Sequence, residues 1–143
     1  MCAACAGRGP SGTRIVIRDA DTGRAFASLP AAEGTVFAIE FLHSVNKSPV
    51  RDTFCVQGAA FAALSTRFQA FGAGMQSDLA PGERLAWDGE ALELSGFDRR
   101  FSELRFVLAP ATDHVLYIEG RELSLKGLCG ANAHIVIQVE GGN

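Results

Sequence analysis

Residues 35–57 read TVFAIEFLHSVNKSPVRDTFCVQ, and their two-residue alternation decides the fold. Phe37, Ile39, Phe41 and His43 fall on one face of an extended strand running from about Thr35 to Val45. The opposite face, with Val36, Ala38, Glu40 and Leu42, is also mostly apolar, the pattern of a central or covered strand. Pro49 fixes φ and lacks an N–H, which suits the first position of the next strand, Val50 to Gln57. In that strand Phe54 and Val56 lie on the face opposite Cys55.

The same period continues in both directions. Ile15 and Ile17 alternate with Arg14, Val16 and Arg18, Asp21-Thr22-Gly23 turns the chain, and Ala25, Ala27 and Leu29 complete a hairpin. From Phe61 to Phe68 the apolar face switches phase between Ala63 and Leu64, as a β-bulge would require. Ala59 to Ala63 also has the propensity for one helical turn. Pro81-Gly82 and Asp88-Gly89 are turn signals, and Glu90 to Ser95 reads as a short edge strand, with Trp87 covering the mouth of a barrel. Leu104, Phe106 and Leu108 alternate, as do Val115 and Tyr117, Leu123 and Leu125, and finally Ile135, Ile137 and Val139.

About ten short strands without a sustained helical period make an all-β chain. Two architectures satisfy the pattern, an antiparallel β-sandwich or a closed β-barrel. At most one short helix is expected, near Phe97 to Glu103. A length of 143 residues fits one domain, assigned to residues 13–140 after a disordered tail at 1–12. With 48% hydrophobic and 20% charged residues, the chain has enough apolar content for a core without disulfides or metals.

A net charge of -3 argues against a nucleic-acid reader, which needs a basic stripe to displace counterions from phosphate. No apolar run approaches the roughly 20 residues of a spanning helix, so direct membrane insertion is not expected. Residues 1–13 carry neither a basic nor an apolar leader segment, so a cytoplasmic location is expected of the chain as written, and a start further upstream leaves the compartment open. Cys2 and Cys5 form a C-x-x-C that lacks both a redox-type context and a second zinc-binding pair. A bond between Cys55 and Cys129 is left open by sequence. No cofactor motif is present, and none is expected.

Two segments stand out chemically. In the first, His43, Ser44, Asn46 and Lys47 gather at the end of a greasy strand, and Asp52 follows in the next, an arrangement by which β scaffolds build sites. In the second, Phe71-Gly72-Ala73-Gly74-Met75, Gly72 and Gly74 permit a backbone amide nest for an anion. Together, Phe41-Leu42-His43-Ser44-Val45, Lys47, Pro49-Val50, Asp52, Arg67-Phe68 and Phe71-Gly72-Ala73-Gly74 resemble DUF1850, a bacterial domain family of unassigned function. Leu104 to Leu108 and His114-Val115-Leu116 look similar as well, and the resemblance extends over about Thr13 to Val139. It implies the company of TRAP transporters of the TAXI type, with their permease components as partners, and an accessory role at the envelope or periplasm. Members often carry Glu where this chain has Asp52, and often begin with an export or anchor segment that is not seen here.

On this reading His43, Ser44, Lys47, Asp52, Gly72 and Gly74 bind a small anionic ligand, with Lys47 supplying charge. Other readings compete. A His43–Asp52 bond pinning strand register is a structural role for the same residues. A small hydrolase would use the same two as base and orienter, and a purely structural protein-interaction domain would show an exposed apolar patch and no ligand response. Metal binding would draw on His43, Asp52, His114 or His134, whose spacing lacks any usual ligand pattern. Asp21-Thr22-Gly23 matches an aspartic-protease triplet in letters, but its flanks are those of a hairpin turn.

Overall fold

Hydrophobic residues recurring every second position commit each segment to a pleated strand with one buried face, and short polar turns fix where each strand stops. The computed structural model describes residues 12–42, 47–69 and 79–141. Within them the chain runs through β1 (Arg14–Asp19), β2 (Ala25–Pro30), β3 (Val36–Leu42), β4 (Pro49–Gln57), β5 (Ala60–Phe68) and β6 (Arg84–Trp87). It continues through β7 (Leu92–Ser95), β8 (Arg100–Phe101), β9 (Glu103–Val107), β10 (Val115–Ile118), β11 (Arg121–Ser124), α1 (Leu125–Cys129) and β12 (His134–Glu140).

These strands form two antiparallel sheets. The smaller has four strands in the order β2-β1-β12-β9; the larger has eight, β11-β10-β3-β4-β5-β7-β6, with β8 pairing the first part of β5. Both sheets keep open edges, so the architecture is a β-sandwich and not a closed barrel. Their inner faces meet in one core. Ile15, Ile17, Leu29, Leu104, Ile135 and Ile137 face Phe37, Ile39, Phe54, Val56, Phe61, Leu116 and Ile118. Phe37 is its aromatic centre, stacked on Phe54 at 5.4 Å and edge-on to Phe61 at 5.0 Å.

Several sequence expectations hold. The first hairpin pairs Ile15 with Leu29 and Ile17 with Ala27, and its turn is organised by the Asp19 carboxylate, which accepts from the N–H groups of Asp21 and Thr22. Strand β3 is central, flanked by β10 and β4. The phase switch in β5 is a register shift against β4: Thr53 pairs with Ser65 and Phe54 with Ala63, so Leu64 is skipped.

Others are corrected. Residues 97–103 form no helix; Phe101 pairs with Phe61 and packs edge-on against Phe54, so burial of its ring draws the segment into a strand. The helix lies at α1, where Ser124 accepts from the Gly127 N–H as N-cap and Leu125 is fully buried. Alternation of Leu123 and Leu125 disguised that start. The strand near Glu90 to Ser95 is interior, because β6 adds beyond it as the edge. Trp87 ends that edge strand, 53% exposed, and there is no barrel mouth for it to cover. Cys55 and Cys129 are both free thiols, and burial pushes the Cys129 thiol up to about 11.

The β6–β7 pair imposes one tight backbone approach. A Cβ at Gly96, whose φ is +82°, would stand 2.1 Å from the Gly82 carbonyl oxygen. Gly96→Ala is therefore expected to destabilise by more than about 2 kcal/mol. Gly120→Ala, at φ +78° with open space around it, should lose only about 1 kcal/mol. Urea unfolding of the two variants checks this; equal losses would show that the Gly82–Gly96 approach is not a packing constraint.

Candidate functional site

Directly opposed residues of neighbouring strands share a face, and this places Asp52 inside. Asp52 lies opposite Ile39 on β3 and Thr66 on β5, in the row next to Phe37 and Phe54. A carboxylate thus continues the face that carries the aromatic core. Thr66 Oγ1 donates to Asp52 Oδ1 at 2.8 Å. Burial raises the Asp52 pKa above 3.8, and the Thr66 hydroxyl opposes that shift. Among the described residues no cation pairs with it.

Upstream, Lys47 is exposed and sits in the left-handed region at φ 61°. Glu119 shares that conformation in the tight β10–β11 turn, where the following Gly120 is left-handed too, and Asn132 is of a residue type that tolerates it. A lysine there is strained by roughly 1 kcal/mol or more. Of the site residues expected from sequence, Lys47 and Asp52 are therefore placed, Lys47 exposed and Asp52 half-buried on the inner face. His43, Ser44, Gly72 and Gly74 lie outside the described residues.

Immediately before β10, His114 continues the register that pairs Val115 with Glu40 and so meets Phe41. Its ring stacks on Phe41 at 5.1 Å and meets Phe106 of the smaller sheet at 5.2 Å. Only 9% exposed, it is held neutral by burial, which lowers its pKa below 6.5. Its Nδ1 has no hydrogen-bond partner among the described residues. Asp113 braces the position by accepting from the Ser124 hydroxyl at 2.7 Å and from the Lys126 N–H. Asp52 and His114 occupy the same inner face, but two strand spacings and one two-residue step separate them, roughly 12 Å between Cα atoms. They are not a base and its orienter. His134, on the smaller sheet, is exposed. Among the described residues no group of three His, Cys, Asp or Glu side chains is placed to hold a metal ion.

The other face of the same strands carries a polar cluster. Arg51 lies over the Tyr117 ring at 4.2 Å and meets Glu40 at 3.5 Å, while the Tyr117 hydroxyl donates to Glu40 at 3.1 Å. Arg67, directly opposite Arg51, is held by Asp88 at 2.5 Å. The N–H groups of Ala91 and Glu90, then Arg67, hold the Asp88 carboxyl down to about 2. Thr66, Arg51 and Tyr117 were not singled out from sequence. The alternation that placed Phe54 inside already placed Asp52 beside it and Arg51 outside. Thr66 and Tyr117 needed strand pairing, which a single sequence does not display.

Because folding raises the Asp52 pKa, its ionised form opposes folding: the cost is absent below 3.8 and complete once pH exceeds the folded value. Asp52→Asn keeps an acceptor for Thr66 without the charge. It is expected to gain stability on the order of 1 kcal/mol at neutral pH, a gain that vanishes in acid. Calorimetry across that range tests the sign; a variant less stable at neutral pH would show that the carboxylate is compensated in the native protein.

A family model described as a domain of unknown function, DUF1850, matches residues 37–125. That span holds nearly the whole eight-stranded sheet and β9, and leaves β1, β2 and β12 outside, so it is shorter than the resemblance over Thr13 to Val139. No curated protein and no solved structure matches the chain. Among the described residues no helix is long and apolar enough to cross a membrane. With the match covering well over half its length, from β3 through the first residue of α1, the chain belongs to the DUF1850 family.

Proposed function

We propose that this domain is a non-catalytic accessory or small-ligand-binding module of a TRAP (TAXI-type) membrane transport system, working at the envelope. The observation that carries the binding role is Asp52. Its carboxylate faces inward beside an aromatic core, with one hydroxyl as partner and no compensating cation among the described residues. Such a group opposes folding, and sites of function are where that opposition is retained. Lys47, strained and exposed five residues upstream, adds a second local expense in the same segment.

The ligand in this reading is a small anion that also carries a hydroxyl or amino donor. Lys47 supplies the countercharge, and Asp52 accepts from the donor. His43, Ser44, Gly72 and Gly74 belong to the proposal by residue type alone. The transport partner rests on the resemblance of the motifs from Phe41 to Asp52 and from Arg67 to Gly74.

Native mass spectrometry of gently purified protein, wild type beside Asp52→Asn, tests the binding role. Added mass in the wild type that the variant loses is the expected result. An adduct retained equally by both would remove Asp52 from the site, and bare mass in both would overturn tight ligand binding. Co-expression with the permease components tests the transport role, with co-purification as the expected result; separation at low salt would contradict it.

A further inference from the structure

The solvent face of the eight-stranded sheet carries a depression with a defined cause. Ala38 is flanked by larger residues in register, Thr53 on β4 and Tyr117 on β10. Its methyl leaves a gap across which Arg51, one row along, reaches diagonally to the Tyr117 ring. The result is a groove of about 310 Å³, with Val36 and Ala38 in its floor, Arg51, Thr53 and Tyr117 along it, and Arg121 at its rim. Val36 is 50% exposed there. The volume lies at the lower end of the range for small-molecule sites.

Arg51 is the group that gives this groove a preference. Its guanidinium is held against the Tyr117 ring, so little freedom remains to be lost when it meets a ligand. Glu40 stands at 3.5 Å from Nε, beyond an ordinary N–H···O hydrogen bond, so a carboxylate at closer range competes with it. Arg67, directly opposite Arg51 in register, is already paired with Asp88 at 2.5 Å. A recess of about 50 Å³ lined by Glu40, Pro49, Arg51, Arg67, Phe68 and Gln69 lies on the other side of Arg51 from the groove.

Acidic groups limit what fits. Glu40, Asp88 and Glu93, the last directly opposite Arg67, neutralise much of this cluster, and Glu119 and Glu122, the latter opposite Tyr117, line the groove beside Arg121. A multiply charged anion is disfavoured, whereas a single carboxylate that brings its own apolar body is not. We propose that this outer groove is a binding site for a small organic monocarboxylate. The carboxylate sits on Arg51, and the apolar body lies over Ala38 and Val36 beside the Tyr117 ring. This site is on the opposite side of the sheet from Asp52 and stands without it.

Titration of isotope-labelled full chain with hexanoate, followed by NMR, tests the site. Saturable shifts at the Val36 methyls, Ala38 and Tyr117 are expected, with affinity roughly tenfold weaker in Arg51→Gln. Arg51→Lys, which keeps the charge and loses the planar stack, should weaken binding as well and serves if the glutamine variant fails to fold. Arg14→Gln, on the other sheet, should change nothing. Absence of saturable shifts, shifts that survive both Arg51 variants, or equal shifts with inorganic phosphate would each overturn an organic-carboxylate site.

Discussion

The register between β3 and β4 is the constraint on which the remaining structure depends. Phe37 opposes Phe54, Ile39 opposes Asp52, and Glu40 opposes Arg51. Since strand side chains alternate with a period of two, a slip by one residue would turn Phe54 to solvent and bring Arg51 into the core. The stacked Phe37–Phe54 pair, with Phe61 edge-on, makes such a slip costly. With the register held, the position of Asp52 follows without any further choice. The greasy centre of the sheet thus forces a carboxylate inward and an arginine outward, one residue apart.

Both proposed sites are consequences of that one alternation, on opposite sides of the same two strands. Inside, Asp52 continues the row of core side chains toward the end of the sheet where Phe41 and His114 stack. Outside, Arg51 meets Glu40 and Tyr117, with Arg67 opposite it in register and paired to Asp88, a polar layer that solvent reaches. The family match runs from β3 to the start of α1 and so takes in both faces, whereas three of the four strands of the covering sheet fall beyond it. The eight-stranded sheet is the unit in which the family assignment and the two candidate sites coincide.

Much of this was legible in the sequence because two-residue alternation is a local signal. It gave the first hairpin, the central place of β3 and the phase switch that became the β5 bulge. Other features were set by distant partners. Phe101 is strand because Phe61 and Phe54 receive it, and Leu125 begins a helix because Ser124 caps it and the core takes its side chain. Whether the sheets closed into a barrel depended on edge strands that residues 84–87 hide by being short and exposed. At the candidate site, residue type pointed to Asp52 and Lys47. The Thr66 partner and the Arg51–Tyr117 contact arise only from strand order, so no local pattern announced them.

The central claim is that the Asp52 carboxylate lies half-buried on the inner face without a compensating cation among the described residues, and its own titration tests that most directly. Carbon-detected NMR of the Asp52 side-chain carboxyl in the intact protein gives its midpoint. The structure requires a value above 3.8, raised by burial against the Thr66 hydrogen bond. A midpoint at or below 3.8 would contradict it, because it would mean that a cation or further donors already satisfy the group in the native protein.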